Sequence, residues 1–299
     1  MQELAPSVLN GARLVGNYAP GSPEWHSERS KGIGGSEVGT ILGLNPYESP
    51  YALWAKKTKR IPSEIQENWA IRFGKAFEEP ILYLWQEEHP EWDLYTTGTY
   101  ADEFCDYLHA NPDAIAVHKK TGEQMIIEVK TARQTWENVP PSYIAQVMHY
   151  MGVTKIQRGL IVAVAGMTWN EYEVPFNQQQ IDHQNKQIAE FWNSVQEDKR
   201  PDWDGAESTY HAVRMQYDSI EAVEVDLGEL GREVLELQMK ADDAYWKLSQ
   251  AKSKALDAME TAKWGTYTTP SGEVVRVASR QMRAGNPVLV INKKGISWI

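Results

Sequence analysis

Cysteine is almost absent: Cys105 stands alone in 299 residues. That excludes an intramolecular disulfide and any internal four-cysteine zinc or iron–sulfur site, and a small buried residue is the expected role for this thiol. Long apolar runs are missing too. No stretch approaches the about 20 consecutive apolar residues of a membrane span, and the first residues lack the charged-then-apolar pattern of a signal peptide. The expected location is therefore the cytosol. Positive charge is scarce, with 30 Lys and Arg against 41 Asp and Glu and a formal charge of −11. Such a balance excludes indiscriminate coating of nucleic acid but leaves room for a locally basic channel. Low-complexity segments and internal repeats are absent. What the chain does hold is 42% hydrophobic residues, enough to fill a sizeable core.

The most informative stretch runs from Asn111-Pro112-Asp113 to Glu128-Val129-Lys130. Lys119-Lys120-Thr121-Gly122 suits a hairpin turn, because glycine tolerates the positive φ such turns need. In the strand that follows, successive side chains alternate faces, so Glu128 and Lys130 point one way and Met125, Ile127 and Val129 the other, into a core. Pairing of the preceding arm with this strand brings Asp113 beside Glu128. Two carboxylates and one ammonium then share a surface suited to a hard cation: Mg²⁺ takes oxygen ligands and needs only one or two carboxylates besides water and phosphate oxygens. A neighbouring lysine can orient the attacking water and offset transition-state charge. Taken alone, the short pattern is better explained by a solvated hairpin with an ordinary Glu/Lys pair, since Pro-Asp and Glu-x-Lys are each common.

Elsewhere the chain reads as alternating elements. Ser36 caps a short helix carrying Val38, Ile41 and Leu42, and the glycine-rich approach Gly32-Ile33-Gly34-Gly35 leaves backbone N–H groups for an anion such as phosphate. Ser49-Pro50 starts a second helix. Lys56 to Arg60 is the only dense basic run, either a solvated loop or one facing DNA. From Asn68 to about Glu88, Ala70, Phe73, Phe77, Ile81, Leu84 and Trp85 recur at helical spacing. Glu78 sits at the margin of that face, as a surface charge or as a third acidic group over Asp113 and Glu128. Pro141 opens a helix with Tyr143, Gln146 and Tyr150 on one face. Residues 158–164 read as a covered central strand, 169–174 as the next strand and 181–195 as a helix.

Together these motifs resemble the YqaJ-type viral recombinases, relatives of bacteriophage λ exonuclease within the PD-(D/E)xK nuclease superfamily. The resemblance is carried by Gly32-Ile-Gly-Gly-Ser36-Glu-Val, Ile41 to Trp54, Phe73-Gly-Lys-Ala-Phe-Glu78, Asn111-Pro-Asp113, Glu128-Val-Lys130 and Gln146-x-x-x-Tyr150, in the family's order from roughly Trp25 to Pro201. It implies a restriction-endonuclease-like α/β core, a central mixed sheet flanked by helices. It also implies a 5′→3′ exonuclease acting on double-stranded DNA ends with Mg²⁺, or Mn²⁺ in its place, leaving a 3′ single strand for an annealing protein. By the same resemblance Asp113 and Glu128 bind metal with the Val129 carbonyl, Lys130 stands beside the nucleophilic water, and Glu78 orients water or touches a second metal. Gln146 and Tyr150 support the site, Arg29 and Ser36 grip the terminal 5′-phosphate, and a homotrimeric ring threads the DNA.

Beyond a boundary placed after residue 205, Leu227, Leu230, Val234, Leu237, Ala241, Ala244, Leu248, Ala251 and Ala255 form a heptad seam. The helix is expected to continue to Lys263, roughly 50 Å at 1.5 Å per residue, with Gly265 ending it and a β-hairpin over 266–280. This extension either packs on its own domain or a neighbouring subunit, or docks a partner or guides DNA. His109 and His118 flank Asp113 and are expected to be structural or surface groups, with metal ligation as the alternative; most tryptophans are expected to fill the core, and Trp136 is the one to test against DNA. The alternatives to an exonuclease are a DNA-end-binding recombination scaffold without catalysis and a restriction-type endonuclease using the same metal core.

Overall fold

A computed structural model describes residues 2–3, 9, 11–19, 21–63 and 68–292. The chain divides into two units, Met1–Ile220 and Glu221–Ile299. In the first, a six-stranded sheet is built from β1 (Gln2–Glu3), β4 (Trp92–Thr96), β7 (Ala114–His118), β8 (Gln124–Ala132), β9 (Arg158–Ala165) and β10 (Thr168–Pro175), neighbours in that order. A smaller sheet joins β2 (Ala12–Gly16), β5 (Thr99–Asp102), β6 (Leu108–Ala110) and β3 (Ile33–Gly34). Helices α1 (Pro23–Arg29), α2 (Gly35–Ile41), α3 (Pro50–Lys57), α4 (Trp69–Glu88), α5 (Pro141–Thr154), α6 (Gln178–Gln196) and α7 (Glu207–Gln216) surround them.

The centre is β7, β8 and β9. β7 and β8 are antiparallel, with Ala114 opposite Ile127, and the turn between them has Gly122 at φ 72°. β8 and β9 are parallel, with Glu128 opposite Ile161. A parallel pair needs a crossover, which α5 supplies. Both faces of β8 are covered. Ile126 joins Ile115, Ile161 and the α5 residues Val147, Met148 and Met151 in one core, and Met125, Ile127 and Val129 join Ile81, Leu82 and Trp85 of α4 in the other. This double burial is why residues 158–165 are almost continuously apolar.

α4 departs from the expected pattern. Asn68 caps it through a bond from the Ile71 N–H to Oδ1 (3.0 Å), and it runs through Pro80 to Glu88. Its buried side is Ile81, Leu82 and Trp85, however, while Phe73, Phe77 and Leu84 are exposed at 39%, 45% and 50%. Helical spacing sets which residues share a face, but the side that meets the sheet is chosen by the Gly74–Glu78–Leu82 line. Gly74 brings the helix close enough that an added Cβ would lie 3.3 Å from Thr131 Oγ1 on β8.

The first unit extends past residue 205, to Ile220. α7 is tied to α3: Ser49 Oγ lies 2.6 Å from Thr209 Oγ1, and Thr209 Oγ1 donates to Asp204 Oδ1 (2.7 Å). Ala212 is buried with them. A single turn of buried small residues gives no strong periodicity, so the sequence boundary fell one helix early.

The second unit holds α8 (Glu229–Met259) and a three-stranded sheet of β11 (Trp264–Thr268), β12 (Val274–Arg283) and β13 (Asn286–Ile291). α8 has 31 residues, about 46 Å. It stops at Met259 rather than Lys263, with Glu260 at φ 45°. Gly265 therefore lies in β11 and does not end the helix; an added Cβ there would meet Met259 Sδ at 3.0 Å. The expected hairpin gains a third strand, its register running from Ala278 opposite Ile291 to Arg283 opposite Asn286.

Candidate active site

Asp113 precedes β7 by one residue, and the antiparallel register carries it to Glu128. Its Oδ2 accepts the Val129 N–H at 2.7 Å. Glu128 and Lys130 share a face, as alternation requires, and the Lys130 ammonium donates to Glu128 Oε1 at 2.5 Å. From α5, Gln146 Nε2 donates to the same oxygen (2.6 Å) and to the Tyr150 hydroxyl (2.9 Å). Tyr143, one turn earlier, lies under the Lys130 ammonium, 4.9 Å from it to the ring centre. The spacing 143, 146, 150 thus lays one helix face along the strand residues 128 and 130.

Charge is concentrated here out of water. Glu128 is 2% exposed, and its Oε2 is buried with no hydrogen-bond partner. Burial pushes the Asp113 carboxyl well above the usual carboxylate range, and Glu128 and Glu78 push it further. Glu78 is raised by burial and by Glu128, with Lys130 opposing. Burial works against the Lys130 ammonium, but Glu128 and Asp113 outweigh it and hold the amine above its ordinary value. The Tyr150 phenol is raised well above its ordinary value, by burial and then by Glu128, so it is a neutral hydrogen-bonding group. Glu78, Asp113, Glu128, Lys130, Gln146 and Tyr150 therefore form one electrostatic unit drawn from a helix, two strands and a second helix.

A divalent cation fits this set. An orphaned buried carboxylate oxygen beside a second carboxylate that resists ionisation is the signature of a missing positive charge, and oxygen donors suit Mg²⁺. Among the described residues, however, no group of three or more His, Cys, Asp and Glu is placed to hold a metal ion by itself. Glu128 Oε1 and Asp113 Oδ2 are already taken by donors. Glu78 consequently borders the pair and does not close a three-carboxylate cage with it. The Val129 side chain is buried in the α4 core, leaving only its backbone for the site.

A second cluster adjoins the first. Arg29 Nη2 donates to Ser36 Oγ at 3.2 Å and lies 3.2 Å from Glu37 Oε1; its guanidinium stacks over Trp25 at 4.7 Å. Ser36 is exposed and is not the helix cap. Gly34 holds that position, and its N–H is taken by Glu37 Oε2 at 2.9 Å. The expected row of free N–H groups is therefore partly spent, leaving the guanidinium and hydroxyl as the external donors. The two clusters meet at Tyr150: an added Cβ on Gly35 would lie 2.3 Å from its ring, and the Arg29 charge acts on its phenol.

The basic run is a helix end and not a loop: Lys56 and Lys57 close α3, the Lys57 side chain is buried, Lys56 and Arg60 are half-buried against acidic partners, and Lys59 is exposed. Lys56 pairs with Glu48 (2.6 Å), Lys57 with Glu37 (2.9 Å), and Arg60 with Asp198 (2.7 Å). Nothing in the run's composition signals that its acidic partners come from three separate elements. Trp136 packs against Tyr143 and Tyr172 at 5.3 and 5.9 Å. His109 is buried, and His118 Nδ1 accepts the N–H groups of Lys120 and Thr121 in the turn. Tyr143 and Lys57 touch the two clusters without belonging to any motif; the three-residue spacing from Gln146 was the available sign of the first.

Carboxylates and a lysine at the meeting of β7, β8 and a helix-covered mixed sheet define the PD-(D/E)xK nuclease fold. The same fold is found in an alkaline exonuclease, LHK-Exo, from Laribacter hongkongensis, at TM-score 0.51 and 18% identity over 60% of this chain and 94% of that one. A structure of LHK-Exo in complex with dAMP matches at TM-score 0.51 and 17% identity with the same coverage. Residues 24–157 match the model of the YqaJ-like viral recombinase domain. The chain is also 28% identical over 270 residues to the uncharacterized protein YqaJ of Bacillus subtilis, spanning 84% of this chain and 82% of that protein. Among the described residues no helix is long and apolar enough to cross a membrane.

Proposed function

We propose that the protein is a metal-dependent 5′→3′ exonuclease acting on double-stranded DNA ends in recombination. The observation that carries this reading is the unpartnered Glu128 Oε2, buried beside Asp113 and Lys130. Asp113 and Glu128 would hold Mg²⁺, or Mn²⁺, with the Val129 carbonyl and Glu78 alongside. Bound there, the ion supplies Lewis-acid polarisation of the scissile phosphate and a lowered pKa for the attacking water. Lys130 orients that water and offsets charge developing on the phosphoryl oxygens. Gln146 and Tyr150 fix the Glu128 carboxylate, and Arg29 with Ser36 receives the terminal 5′-phosphate. For that site to be refilled after every cut, water must attack phosphorus with the 3′-oxygen leaving, so that the next nucleotide keeps its 5′-phosphate. The family resemblance further supports a ring-shaped homotrimer and hand-over of the 3′ strand to a single-strand annealing protein.

The test is digestion of a linear duplex labelled separately at each terminus, with Mg²⁺ or with EDTA. Release of the 5′ label first, only with Mg²⁺, is expected. Release of the 3′ label first overturns the polarity, and undiminished digestion in EDTA overturns the metal site. A covalently closed circle should survive; its cleavage identifies an endonuclease on the same core.

A further inference from the structure

Lys57 is a lysine withdrawn from solvent, its side chain 5% exposed. Its ammonium donates to the carbonyl oxygens of Arg29 (2.7 Å) and Gly32 (2.6 Å) and pairs with Glu37 Oε2 at 2.9 Å. Three acceptors satisfy all three of its protons. Glu37 is equally engaged: Oε2 takes Lys57 and the Gly34 N–H, while Oε1 faces Arg29 at 3.2 Å. Burial opposes its ionisation, yet Lys57 and Arg29 hold its carboxyl below the usual range. Burial lowers the Lys57 pKa, with Glu37 countering.

The arrangement places two cations against one carboxylate, in contact with the half-exposed Arg29 and the exposed Ser36. A lone Arg29–Glu37 pair would be neutral and self-satisfied, with little to offer an external anion. With Lys57 present, the carboxylate is already compensated and one positive charge is left over. An internal charge whose surroundings are solvated poorly acts on a nearby anion more strongly than it would in water.

We infer that Lys57 is a positioning residue for anion selectivity: by neutralising Glu37 and pinning the 29–32 backbone, it leaves a net positive charge at the Arg29 guanidinium for a terminal 5′-phosphate. This rests on the proposed role of Arg29 and Ser36. The surplus charge sits at an end-binding site within a chain of net charge −11, so selectivity is set by a local imbalance and not by bulk basicity.

The experiment is equilibrium binding, in EDTA to prevent cleavage, of blunt duplexes that differ only in a 5′-phosphate or 5′-hydroxyl. It uses the full chain and the variants Lys57→Gln, Glu37→Gln and Lys57→Gln/Glu37→Gln, with folding checked by circular dichroism. Glutamine at 57 keeps N–H donors for the two carbonyls while removing the charge. The expected pattern is tighter binding of the phosphorylated end by wild type, a preference reduced tenfold or to none in Lys57→Gln, and its recovery in the double variant, where one positive charge is again in excess. A purely structural lysine would give no such recovery. Wild type without any preference overturns the terminal-phosphate reading itself. Wild-type preference retained by Lys57→Gln, or lost and not recovered in a folded double variant, overturns the role of Lys57 alone. Glu37→Gln by itself should hold or strengthen the preference; a fall overturns the charge argument even where the Lys57 single variant does not fold.

Discussion

Gly35→Ala is the smallest change that reaches both halves of the site at once. An added Cβ would stand 2.3 Å from Cε1, 2.8 Å from Cζ and 3.0 Å from Cδ1 of Tyr150, where relaxed carbon contacts lie near 3.5–4.0 Å. Gly35 has no positive φ, so the backbone accepts alanine, and helix propensity even favours it by up to about 1 kcal/mol. Against that, overpacking a close contact costs about 1–3 kcal/mol. The difference leaves a net loss between about zero and 3 kcal/mol, or up to roughly 12 °C in Tm for a domain of this size. Activity should suffer more than stability. Relief of the clash moves a fully packed ring by about 1 Å and carries its hydroxyl away from Gln146, and a displacement of that size typically costs about 100-fold in rate. Thermal melting and Mg²⁺-dependent digestion of a linear duplex measure the two effects. In the double variant Gly35→Ala/Tyr150→Leu the Tm loss should be smaller than the sum of the two single losses, since the clash has gone, while digestion stays low. A Gly35→Ala protein as stable and as active as wild type would refute the account of why glycine stands there.

Asp113→Asn should abolish divalent-dependent digestion while end binding stays measurable; normal digestion by this variant would move the metal site elsewhere. With chelator present the same substitution should stabilise the protein near neutral pH, because a carboxyl raised by burial and by two neighbouring carboxylates costs stability once pH passes its unfolded value of about 3.9. That gain should vanish in acid, which urea denaturation across pH can read. His149 has the opposite dependence. It is buried, donates through Nε2 to the His109 carbonyl (2.9 Å), and burial lowers its pKa to about 4. The unfolded chain binds this proton first, so the contribution is complete above about pH 6.5 and is lost as pH falls towards 4, at most about 3 kcal/mol. His149→Gln should flatten that part of the stability profile, and an unchanged acid limb would show that the proton is taken up elsewhere.

Much of this protein follows from local pattern. Period-two alternation put Glu128 opposite Val129 and on the side of Lys130, and the glycine turn at 122 implied the pairing that delivers Asp113, because a strand leaves its side chains only two directions. Helical spacing grouped Tyr143, Gln146 and Tyr150 before any contact was known. Tertiary structure decided what periodicity leaves undetermined. Phe73 and Phe77 lie on the same apolar stripe as Ile81 but face solvent, since α4 approaches the sheet through Gly74. Lys57 reads as part of a basic run and is instead buried against Glu37, a partner 20 positions earlier on another helix. Which of several like residues is buried, and which charge meets which, depends on long-range packing, and no local sequence window holds that information.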